Sequence, residues 1–185
     1  MFEILAALSA SAAAGLRIAL PLLLIGLFHG KNLWSEVPLL SSVSQPLLFG
    51  LLISWSVVEL CASKKLLGQR FLQSVELLLS PGVGAIMGLA VASTTPIPNW
   101  IIAVVGGSLA LVFQLVQIGW FYRLRGLPIW AVIMQDTLCI ILVFFATDSP
   151  ISGGLITLVL LFLAVRSAKQ WYKWYLGGKR KQRVL

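Results

Sequence analysis

The chain has 185 residues, of which 59% are hydrophobic and only 11% charged, against roughly 25% charged in an average soluble domain. A soluble domain of this length could not hide so much apolar surface, whereas a bilayer is itself an apolar solvent. The net charge of +8 does not point to nucleic acid, because the basic residues cluster between apolar runs, as membrane orientation requires.

Inside a bilayer every backbone N–H and C=O must be paired internally, which leaves helices or closed barrels. The apolar runs here are long and continuous rather than alternating, and that selects helices. They predict an all-α, polytopic transmembrane bundle of about six spans, at residues 4–28, 46–63, 71–93, 99–122, 128–147 and 151–170. Crossing the hydrocarbon takes roughly 20 residues. The first run contains Ser9-Ala10-Ser11-Ala12, small residues of the kind found at a signal-peptide cleavage site. The Met-Phe-Glu start is not basic and the apolar stretch before the site is very short, so the run is expected to remain as a span.

His29-Gly30-Lys31-Asn32 ends the first run, and Ser44-Gln45-Pro46 opens the second. The third carries Gln73 and Glu76 and is interrupted by Ser80-Pro81-Gly82-Val83-Gly84. Proline removes a backbone bond there, and Gly82 and Gly84 loosen the next turn. One kinked helix fits, as does an interfacial helix followed by a short span. Such a break can also expose backbone groups to a ligand. Thr94 to Asn99, Arg125-Gly126-Leu127-Pro128 and Asp148-Ser149-Pro150 separate the later runs, with prolines where a first helical turn tolerates them.

Six spans with both termini cytoplasmic put Lys64, Lys65, Arg70, Arg123, Arg125 and the seven basic residues from Arg166 to Arg183 on the cytoplasmic side. Only Lys31 is left on the other side, and that asymmetry is the positive-inside pattern. Residues 1–170 form a single transmembrane domain on this reading, and residues 171–185 a basic, aromatic cytoplasmic tail. Trp171 and Trp174 suit the headgroup level, and Lys179, Arg180 and Lys181 suit anionic lipid. A plain topology anchor accounts for the same residues. Leu22 to Phe28 (LLLIGLF) and Leu115 to Phe121 (LVQIGWF) echo each other. Two inverted three-helix halves would leave such an echo, and so would a chance match of common residues.

Ionisable residues inside a membrane are costly and need a reason. Arg17 falls well inside the first run and Asp136 inside the fifth, at depths that let them pair, with Glu59 the alternative partner. Gln114, Gln117, Gln135 and Glu76 fall in the same half. One reading is a polar cavity for a small solute or ion, in which Arg17 holds an anionic group while Asp136 or Glu59 supplies counter-charge or relays a proton. The plainer reading is a structural ion pair with interhelical hydrogen bonds. Gly84 with Gly88, and Gly106-Gly107 with Ala110, read as close-packing surfaces.

No cofactor or metal is expected. His29 is the single histidine, Cys61 and Cys139 stand alone, and neither a metal-ligand spacing nor a phosphate loop occurs. No nucleophile has an evident base in register, so the chain does not read as an enzyme.

Gly15-Leu16-Arg17 followed by Pro21-Leu22 resembles the opening GLR…PL pattern of the DUF4126 family of membrane proteins. Glu59-Leu60-Cys61-Ala62-Ser63-Lys64 resembles its E-L-x-x-D-K segment, Pro81-Gly82-Val83-Gly84-Ala85 its P-x-x-G-A stretch, and Gly106-Gly107 with Ala110 its G-G-x-x-A helix. Ser63 stands where the family tends to have Asp, and Gln114 and Gln117 where more basic or imidazole character is expected. The resemblance covers the first two-thirds of the chain and implies a multi-span membrane domain but no mechanism. Two function classes remain: a small-solute or ion transporter or channel-like protein with a polar core around Arg17, or a non-catalytic scaffold or assembly subunit. The bilayer is the partner in either case, joined in the second by a homo-oligomer or a larger membrane complex.

Overall fold

The computed structural model describes residues 2–29, 44–62, 66–92, 97–124 and 128–182. They form seven helices and no strand: α1 (Phe2–Leu16), α2 (Ala19–His29), α3 (Gln45–Ala62), α4 (Leu66–Val91), α5 (Asn99–Leu124), α6 (Ile129–Asp148) and α7 (Pro150–Gln182). The last four are long and apolar enough to cross a bilayer, while the apolar parts of α1 and α3 are shorter. The protein is therefore an α-helical membrane bundle, with four such helices among the described residues rather than the six runs expected.

Two runs differ from expectation, and a third takes one of its two expected forms. The first is two helices rather than one continuous helix, because it breaks at Arg17 and Ile18. Pro21 has no N–H to offer the Arg17 carbonyl and its ring crowds that position, so α1 stops and α2 begins with Pro21 in its first turn. The third run is a single helix with Pro81 inside it, and no interfacial piece separates from it. The last continues as helix through residue 170 to Gln182. The sequence echo falls on α2, of 11 residues, and on α5, of 26, so its two copies occupy dissimilar helices.

The bundle is built around α1, which packs against α4, α5, α6 and α7. Its sequence explains that position: Ala6, Ala7, Ala10, Ala12, Ala13 and Ala14 are buried, as are Ser9 and Ser11. Small side chains let four neighbours approach one short helix. A Cβ on Gly15 would stand 2.6 Å from the Ala110 carbonyl, and one on Gly106 2.7 Å from the Gly84 carbonyl. The serines of α1 reach across as well. Ser9 Oγ donates to the Leu142 carbonyl at 2.8 Å and Ser11 Oγ to the Gly84 carbonyl at 2.9 Å.

Contacts along α1 fix its direction. Ser9 meets Leu142, Ala13 meets Cys139 and Arg17 meets Asp136, so α1 runs antiparallel to α6 and parallel to α7. The start of α1 therefore stands toward the end of the bundle opposite Arg123 and Lys169. These directions do not support both termini on one side, as expected from an even span count. Outward faces are apolar, with Ile133 and Met134 on α6 and Leu155, Val159 and Phe162 on α7 all exposed. Polar side chains are gathered inside, the arrangement that lipid imposes.

Candidate functional site

The α1–α2 break creates the polar centre. Where a helix stops, its last carbonyls lose their partners, and in a membrane they must find others. The Leu16 carbonyl accepts from Gln117 Nε2 of α5 at 3.2 Å and from Gln135 Nε2 of α6 at 2.5 Å. Two glutamines from different helices thus satisfy the loose end of α1. Arg17, the next residue, still donates its backbone N–H to the Ala13 carbonyl.

The Arg17 side chain is 4% exposed and pairs with acids of two helices, with a third acid in electrostatic reach. Its Nε donates to Asp136 Oδ1 of α6 at 2.7 Å. Its Nη1 lies 3.8 Å from Glu76 Oε1 of α4, and Glu59 of α3 is within its electrostatic reach. Glu59, 2% exposed, accepts from Trp55 Nε1 at 2.9 Å and from the backbone N–H of Ala19. That places a carboxylate at the first residue of α2, where a helix dipole favours it. Glu76 Oε2 accepts from Gln114 Nε2 at 3.1 Å. Three carboxylates thus surround one guanidinium, and all the polar side chains expected to meet in this half of the bundle do converge.

Beside them is a small cavity of about 20 Å³, lined by Arg17, Gln69, Gln73, Glu76, Gln117 and Gln135 among others. Pro81, Gly82 and Gly84 do not line it. Gly82 faces open space, and Gly84 lies against Gly106 and Ala110 of α5. The helix break that meets polar groups is the one at Arg17. The side chains of Trp171, Trp174, Lys179, Arg180 and Lys181 lie outside the described ones.

The model of a domain of unknown function (DUF4126) matches residues 4–170. The chain belongs to the DUF4126 family. No curated protein and no solved structure matches it. The DUF4126 match takes in every residue named in the site.

Two lining residues of this DUF4126 chain stayed unassigned in the sequence, Gln69 and Gln73 of α4, and Ser80 continues their face of the helix. With Glu76 they are buried at 7%, 7%, 0% and 3% exposure. Their spacing of four, three and four residues places them on one helical face, and that was the available signal. This polar stripe runs from the Arg70 end of α4 past the cavity. Beyond it Gly84 packs against α5 and Gly88 against Ser11 of α1.

Proposed function

We propose that this DUF4126 protein is a small-ion or small-solute transporter or channel-like protein whose cargo is bound in the polar core around Arg17. The carrying observation is the convergence of Glu59, Glu76 and Asp136 on one buried arginine, at a helix break beside a polar cavity, within an apolar bundle. A purely structural pair needs one acid. Three acids around one base leave negative charge that a positive species can neutralise, so the reading favours a cation over an anionic group held by Arg17. On this reading the end of the bundle carrying Arg70, Arg123, Arg166 and Lys169 faces the cytoplasm, in keeping with the positive-inside pattern. The polar core then lies roughly 10–15 Å in from that face, at 1.5 Å per helical residue.

A second reading has one observation of its own. The span in α7 ends at Lys169, yet the helix runs on to Gln182, roughly 20 Å further. A basic helical arm of that kind suits docking on anionic lipid or on a partner complex. The test is flux in liposomes holding the purified protein, screened with protons, alkali cations and small neutral and anionic solutes. Cation or proton flux that falls in Asp136→Asn and Arg17→Ala supports transport. Flux absent for every class, or unchanged by both substitutions, refutes it, and copurification with a large membrane complex would favour the second reading.

A further inference from the structure

Among the described residues, three buried side-chain atoms lack a hydrogen-bond partner: Gln73 Nε2, Glu76 Oε1 and Ser80 Oγ. Gln73 and Glu76 line the same cavity, whose volume of about 20 Å³ matches one water molecule, which needs roughly 10–15 Å³. Gln73 Nε2 is a donor and Glu76 Oε1 an acceptor. A water molecule both accepts and donates, so one water answers both atoms.

The three acids differ in how firmly they are held. Asp136 takes the direct, short bond from Arg17 Nε. Glu59 is fixed by Trp55 and by the start of α2. Glu76 keeps one oxygen free of hydrogen bonds, 3.8 Å from the guanidinium. It is the carboxylate with a fully buried oxygen that lacks a hydrogen bond, and it lines the cavity.

We propose that this cavity is a proton site: a water molecule sits between Gln73 and Glu76, and Glu76 exchanges a proton with it. The assignment deepens the ion-handling reading of the core and rests on it, naming the proton as the species handled. In the step one proton passes from a hydronium oxygen to Glu76 Oε1, leaving neutral water and a neutral carboxylic acid, and returns by the same route. The Gln69–Gln73 turn of α4 connects the site to the basic end of the helix. An alkali ion suits the cavity less well, because the Arg17 guanidinium and the Gln73 amide present donors to it. Among the described residues no three His, Cys, Asp or Glu side chains group closely enough to hold a metal ion.

Infrared difference spectra between alkaline and acid buffer, taken on the protein in lipid nanodiscs, test the assignment. The expected signal is a protonated-carboxyl C=O band that titrates, shifts in D₂O, vanishes in Glu76→Gln and persists in Glu59→Gln. In Gln73→Leu, which removes the donor to the water and fills the cavity, the band exchanges with D₂O more slowly. Should Glu76→Gln fail to fold, Gln114→Leu removes the donor to Glu76 Oε2 and must shift the frequency of the same band. A band that survives Glu76→Gln, or is unmoved by Gln114→Leu, overturns the assignment. So does a band displaced at fixed pH when sodium or potassium replaces choline. These outcomes are independent of flux. A titrating Glu76 band without flux in liposomes overturns the transport reading alone, and flux without the band overturns the proton site alone.

Discussion

Arg17 holds three carboxylates in check, so its loss should cost far more than one hydrogen bond. Removing one partner of a buried pair leaves uncompensated charge, typically worth about 3–5 kcal/mol. Thermal melting in detergent should show Arg17→Ala destabilised on that scale, and Arg17→Ala with Asp136→Ala destabilised by less than the sum of the two. Arg17→Lys should not restore the wild type, because one ammonium cannot reproduce the separate Nε and Nη1 contacts. Ser80 should behave in the opposite way. Its buried hydroxyl has no partner, so Ser80→Ala should leave melting unchanged or raise it slightly, whereas Ser11→Ala should cost about 0.6 kcal/mol through the lost bond to Gly84. An ion pair of Arg17 with Asp136 or Glu59 was legible in the sequence, since ionisable residues inside apolar runs have few other partners, but the choice between the two acids was not. Glu76 was harder to place. Its bond to Gln114 joins positions 38 apart in sequence, and only the helix packing brings them together.

At the scale of helices, small residues govern the fit of α1 between α4 and α5. Gly106→Ala would put a Cβ 2.6 Å from Ser11 Oγ and 2.7 Å from the Gly84 carbonyl. Such overpacking typically costs about 1–3 kcal/mol. Gly50, Gly82 and Gly119 meet nothing within 4 Å, so alanine there should be neutral or should stabilise by up to about 1 kcal/mol, the difference in helix propensity. Melting the four variants side by side separates packing from propensity. The ends of α3, α5 and α6 were legible because proline, glycine and polar clusters punctuate the apolar runs. The α1–α2 break was not, because apolar residues flank Arg17 closely on both sides and read as one run. Continuous apolar composition reports suitability for lipid, whereas Pro21 acts on the hydrogen bonding of one turn.

For the whole molecule, the direction of α1 has a testable consequence. With α1 parallel to α7, Glu3 and Gln182 should lie on opposite sides of the membrane. Single cysteines from Glu3→Cys or Gln182→Cys, in a Cys61→Ser and Cys139→Ala background, should be labelled by an impermeant thiol reagent from opposite faces of oriented vesicles. Labelling of both from one face would contradict the helix directions. Fold class and membrane character were legible from apolar content alone, since lipid accepts what water does not. The order in which helices pack around α1 depends on alanine and glycine contacts that hydropathy cannot rank. The central claim is that the core around Arg17 handles a small positive species, and proton flux into liposomes under an imposed pH gradient tests it most directly. The account expects flux from wild-type protein and its fall in an Asp136→Asn variant that still melts as a folded protein. Equal flux from that variant, or none from the wild type with any cation, would contradict it.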